Sequence, residues 1–109
     1  AHGRFLVVGF TGNAITTWKP GDSKVQRLTT GVGQFDGVQL LPDGRALVSS
    51  WADSSLFILS GSVLTRVVAG GLPTPADLHL DRGANRVAIP LSSQNEVVFY
   101  QLPPRLAAR

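Results

Sequence analysis

The chain has no cysteine and no methionine, and only one tyrosine and two tryptophans in 109 residues. Without a thiol, a disulfide scaffold, a Cys-ligated zinc site, an iron–sulfur cluster and a cysteine nucleophile are all excluded. Charge is sparse too: Asp, Glu, Lys and Arg make up 16% of the residues. Apolar runs last only a few residues, so no stretch reads as a membrane-spanning helix. Nor does any segment carry the apolar spacing of an amphipathic helix. The sequence starts on Ala1 with no basic, apolar and small-residue targeting segment, which reads as a processed or truncated product.

What is present suits short strands and tight turns. Gly contributes 12 residues and Pro 7, and 43% of the chain is hydrophobic. The net charge of +3 raises the question of nucleic acid, but the ten Lys and Arg residues lie singly along the chain. A nucleic-acid surface needs them clustered, with aromatic side chains between them as stacking platforms. No nucleic-acid partner is expected.

Internal repetition is the strongest signal. Residues 4–18 (RFLVVGFTGNAITTW), 45–59 (RALVSSWADSSLFIL) and 86–100 (RVAIPLSSQNEVVFY) align without a gap. The leading Arg recurs at 4, 45 and 86, a period of 41 residues. Each segment reads as an Arg, a β-rich strand, a short polar turn and a second β-rich strand. Leu6, Leu47 and Ala88 share one column, and Ile15, Leu56 and Val97 another; Trp18, Leu59 and Tyr100 close the unit.

A second repeat precedes two of these segments, FDGVQLLPDGR at 35–45 and PADLHLDRGANR at 75–86. Val38 and Leu40 alternate with Gln39, as Leu78 and Leu80 do with His79, the period of a half-buried strand. Pro42-Asp43-Gly44 is a turn: Pro presets φ, Asp caps its own backbone and Gly takes φ > 0. One whole unit then has strands at 37–41, 46–50, 56–60 and 63–68, with Gly61-Ser62 as a two-residue hairpin. Four antiparallel strands at a period near forty are one blade of a β-propeller. Residues 4–29 supply strands two to four of one blade, 36–68 a complete blade, 77–102 strands one to three of a last blade, and 103–109 a tail.

The expectation is an all-β chain of about ten strands forming an incomplete propeller. Propellers close with about four to eight blades, so the chain is expected to be the C-terminal portion of a longer protein or to assemble from several copies. Left alone, its strand edges and apolar faces would stay uncovered, and self-association is expected.

GQFDGVQLLPDGRALVSSW and GLPTPADLHLDRGANRVAIPLSSQNEVVFYQL resemble the last blades of six-bladed propellers of the gluconolactonase and senescence-marker-protein group. The NHL-repeat propellers are similar. The resemblance covers most of residues 31–102 and is weaker before them. It implies either calcium- or zinc-dependent hydrolysis of a lactone or related sugar-derived ester, or a non-catalytic propeller that binds a small molecule or a protein. In that group the metal ligands come from several blades around a central channel, so they do not transfer here as a set.

Blade topology puts the start of strand one and the turn between strands two and three at the same end. That end collects Asp36, Trp51, Asp53, Asp77, Gln94 and Asn95. Asp36 and Asp77 are the candidate ligands of a divalent cation, which takes carboxylate and carbonyl oxygens. Trp51, Asp53, Gln94 and Asn95 are candidate ligand-binding residues, with Trp51 as a wall. Each has a plainer reading: Asp36 and Asp53 as turn acids, Asp77 as a cap, Trp51 as packing. His79 stands mid-strand opposite Leu78 and Leu80, more often a solvated polar position than a base. Asp43 and Asp81 fall at the opposite end and are expected to play no part. Ser49-Ser50 and Ser92-Ser93 lack the setting of a nucleophile elbow.

Overall fold

The computed structural model describes residues 3–68 and 70–106. His2, Ala69 and residues 107–109 of the expected tail lie outside the described residues. Ten strands form: β1 (Phe5–Val8), β2 (Ala14–Trp18), β3 (Gln26–Thr30), β4 (Phe35–Leu40), β5 (Ala46–Ser50), β6 (Ser55–Ser60), β7 (Val63–Val68), β8 (His79–Asp81), β9 (Arg86–Leu91) and β10 (Glu96–Gln101). Among the described residues one 3-10 turn, Pro104–Leu106, follows. The strands make three antiparallel sheets: β1-β2-β3, β4-β5-β6-β7 and β8-β9-β10. The fold is all-β.

Burial explains how the sheets stack. β5 is buried at every residue and β6 at all but its last, whereas β1, β9 and β10 alternate between covered and open positions. A strand buried on both faces reads as a continuous apolar run, and one buried on a single face reads with period two. The middle sheet is therefore sandwiched between the other two. Ile15, Phe35, Ala46, Val48 and Leu59 fill the first interface, with Leu6, Val8 and Leu28 against them. Leu47, Leu56, Ile58, Leu78, Leu80, Val87 and Ile89 belong to the second.

The 41-residue period is carried by backbone bonds as well as by side chains. The Gly31 amide donates to the Asn13 carbonyl at 2.9 Å, and 41 residues on the Leu72 amide donates to Ser54 at 3.0 Å. A second pair recurs with one residue of slip: Trp51 donates to Gln34 at 2.9 Å, and Ser92 to Thr74 at 3.0 Å, the donors 41 and the acceptors 40 residues apart. Gln34 and Thr74 both adopt a left-handed backbone, at φ 48° and 47°. Each recurring Arg pairs with a turn carboxylate, locally for Arg45 and Arg86 and across 18 residues for Arg4. Arg4 lies 3.4 Å from Asp22, Arg45 2.7 Å from Asp43 and Arg86 3.7 Å from Asp81. Pairs this exposed add little stability; Asp43 and Asp81 lie in the turns that lead into β5 and β9, and Asp22 in the turn between β2 and β3.

Strand ends depart from the sequence reading where side chains intervene. β4 begins at Phe35 rather than 37, because its pairing with β5 shifts between Phe35 and Val38. There the Gly37 amide leaves the ladder and donates to the Ser49 hydroxyl at 2.8 Å. β8 keeps only three residues, although Pro75 bridges to Leu91 ahead of it. The Ser49 hydroxyl donates to the Ala76 carbonyl at 2.8 Å, so that segment is held to the middle sheet.

Ser49 is thus a polar pin between two sheets, fully buried and fully bonded. Ser49→Ala leaves a buried amide and a carbonyl without this partner, an orphaning that costs about 2 kcal/mol. Urea unfolding should record that loss with an unchanged slope.

Candidate functional site

The turns at one end of the sheets are laced together by the backbone bonds that join Gly31 to Asn13, Trp51 to Gln34, Leu72 to Ser54 and Ser92 to Thr74. An open cleft of about 340 Å³ lies there, between the β1–β2 turn and the segment that links β3 to β4. Phe10, Gly12, Asn13, Val32 and Gln34 line it. Trp51 stands beside it: its ring meets Phe10 edge to face, with centroids 5.0 Å apart and planes at 89°. The Trp51 indole N–H donates to Asp36 Oδ2 at 3.1 Å.

Phe10 is thus the ring that lines the cleft, and the bonded Trp51–Asp36 pair stands at its side, with the Trp51 ring perpendicular to Phe10. The Asp36–Trp51 bond holds the indole plane and leaves Asp36, an exposed residue, with oxygen lone pairs to offer. Apolar rings beside a few fixed polar groups are the composition of a small-molecule site. Phe10 is 41% exposed and Val32 48%, so the apolar surface there is open to a ligand. A second gap of about 160 Å³ at the other end is lined mainly by Leu6, Leu28, Leu40, Ala46 and Leu59, with Arg4 at its edge.

The other candidates distribute themselves differently. Asp53 is engaged with Arg66 of β7, its Oδ2 2.5 Å from the guanidinium Nε, and so serves the outer part of its sheet. That guanidinium holds the Asp53 carboxyl below its ordinary value of 3.8. A lowered carboxyl pKa stabilises the fold above the unfolded value, and the gain disappears as pH falls through the folded one. Wild type should therefore exceed Asp53→Asn in melting temperature at neutral pH. The two should converge below pH 3.8 as the wild-type carboxyl protonates.

Gln94 and Asn95 form the turn between β9 and β10, Asn95 with φ 52°. The Gln94 side-chain amide donates to the Ser93 hydroxyl at 3.3 Å. Both belong to the third sheet's turn, apart from the cleft residues. Asp77 accepts the Leu78 amide at 2.9 Å, the capping role. It also lines a shallow hollow of about 270 Å³ with His79, Ala88, Pro90 and Val97, on the outward face of the third sheet. His79 is exposed while Leu78 and Leu80 are buried, as strand alternation requires. Asp43 and Asp81 clamp turns: Asp43 accepts the Arg45 amide at 3.1 Å, and Asp81 the Ala84 amide at 3.3 Å.

Asp36, the second residue of β4, and Asp77, two residues before β8, nonetheless belong to segments that approach each other. A Cβ on Gly37 would fall 2.9 Å from the Asp77 Cα, so the two backbones touch just beyond Asp36. No three His, Cys, Asp or Glu side chains come together among the described residues. Calcium takes about six to eight oxygens and catalytic zinc about three protein ligands, so these two carboxylates do not make a metal site by themselves.

Phe10 is the site residue that the sequence reading passed over. The signal for it was available: 10, 51 and 92 are one column of the repeat, occupied by Phe, Trp and Ser. No known protein family matches the chain, and no curated protein does.

Proposed function

We propose that the chain is part of a β-propeller similar to the gluconolactonase group, and that its Phe10–Trp51–Asp36 mouth binds a small sugar-derived molecule without transforming it. The propeller reading is supported by three antiparallel sheets stacked in series and by hydrogen bonds that recur at the repeat spacing. The binding reading is carried by one observation: two perpendicular rings at 5.0 Å with a carboxylate on the indole nitrogen. A ring face covers the C–H surface of a sugar, and a carboxylate accepts its hydroxyls.

The test uses Trp51 as its own reporter. The chain has two tryptophans, so Trp18→Phe leaves Trp51 alone to fluoresce. Titration with glucono-lactone and with the open-chain gluconate should shift that emission saturably. Trp51→Ala, read by calorimetry, should weaken binding at least about tenfold, or about 1.4 kcal/mol. No shift with either probe, or unchanged affinity in Trp51→Ala, would remove the mouth as a binding site.

A second reading, metal-dependent lactone hydrolysis, rests on the touching backbones beside Asp36 and Asp77. Its ligand set would have to be completed from outside these residues. Lactone turnover abolished by a chelator and weakened by Asp77→Asn, but not by Asp43→Asn, would favour this second reading over simple binding.

A further inference from the structure

We propose that the outward faces of the first and third sheets are docking faces for a second copy of this chain, joined head to tail. The repeat register assigns them. Phe5, Val7 and Trp18 stand 41 residues before Ala46, Val48 and Leu59, the middle-sheet residues that pack on the sheet preceding it. Ala88, Val97 and Phe99 stand 41 residues after Leu47, Leu56 and Ile58, the middle-sheet residues that pack on the sheet following it. Each outward face is thus the register equivalent of a face that is already an interface inside the molecule.

Their surfaces match that assignment. Phe5 is 58% exposed, Val7 42%, Val97 56% and Phe99 62%. Phe5 and Trp18 sit opposite each other in the ladder and stack at 6.1 Å. Ala88 pairs with Phe99, and Pro90 with Val97, so the third sheet presents an apolar strip with the Arg86 guanidinium over the Phe99 ring at 5.0 Å. Contiguous apolar surface of this kind marks an interaction site. A second copy supplies the complement in the right order, because its first-sheet face is built to follow a sheet and its third-sheet face to precede one. The contact continues the internal stacking and is heterologous: third-sheet face of one copy on first-sheet face of the next. Two such joints close a dimer that uses all four faces. The contact stands whether or not the mouth binds a ligand.

Sedimentation of the full chain at micromolar concentration should give a species of twice the 11.6 kDa monomer. Phe5→Asp and Phe99→Lys each spoil one face at an exposed position, and circular dichroism should report an unchanged strand signal. Each alone should weaken association at least about tenfold. Mixed together they should associate again, because one keeps a good third-sheet face and the other a good first-sheet face. A monomeric wild type would assign the faces to further sheets of a longer chain and overturn the proposal. A dimer that survives in either single variant, or a mixture that stays monomeric, would overturn it too.

Discussion

Gly37→Ala should destabilise the chain by about 3 kcal/mol, the upper part of the range for overpacking a tight interior. A Cβ at this position would lie 2.6 Å from the Ala76 carbonyl oxygen, 2.9 Å from the Asp77 Cα and 2.9 Å from Leu78 Cγ. Two of those three atoms are backbone, and the backbone is pinned by Ser49, which accepts from Gly37 and donates to Ala76. The clash therefore cannot be relieved by a rotamer change. Moving residues 76–77 outward would break the Ser49 bond and open the second interface, where Leu78 is buried against Leu47 and Leu56. Gly9 is the control: nothing lies within 4 Å of its Cβ position, and its φ is not in the left-handed region. Gly9→Ala should stay within about 0.5 kcal/mol of wild type. Equal midpoints in urea for the two variants would mean that the sheets do not approach each other at Gly37.

The strands themselves were readable because the repeat is local. β5 and β7 occupy the residues that the repeat and the Gly61-Ser62 hairpin assign to them, and Gly61 takes φ 62° as such a turn requires. What the sequence could not show were contacts whose partners lie far apart. The shift at β4 depends on a hydroxyl 12 residues away, and the brevity of β8 on the same hydroxyl 27 residues from Ala76. A serine in a β-rich run reads only as a polar interruption until its two partners are known. The candidate site was legible in the same partial way. Topology placed Asp36 and Trp51 at one end, but their bond spans 15 residues, and it turns a candidate ligand and a candidate wall into one unit. Asp53 read equally well as a site residue; its partner Arg66 on β7 of the same sheet separates it from the cleft.

The second large effect is expected at Phe35, where the first interface meets the mouth. Phe35 is 1% exposed and among the largest fully buried side chains of the chain. Phe35→Ala should lose about 3 to 5 kcal/mol, the usual range for emptying an aromatic site that cannot collapse. Collapse is opposed from both sides: β4 is paired to β5, and Ile15 and Val48 in the same cluster belong to sheets with their own ladders. Gly31 provides the internal check. Its Cβ would fall 2.8 Å from Phe35 Cζ and 2.9 Å from Leu64 Cδ2, so Gly31→Ala alone should cost about 1 to 3 kcal/mol. In a Phe35→Leu background the ring tip is gone, and the added methyl enters space that the substitution has opened. The two losses should then fall short of additive by at least about 1 kcal/mol. Additive losses in the double-mutant cycle would mean that Gly31 is constrained by Leu64 and not by the ring. The same variants probe the site, because Phe35 precedes Asp36 and follows the left-handed Gln34. If the buried ring is what aims the Asp36 carboxylate at Trp51, Phe35→Leu should weaken ligand binding at the mouth even at temperatures where the sheets remain folded.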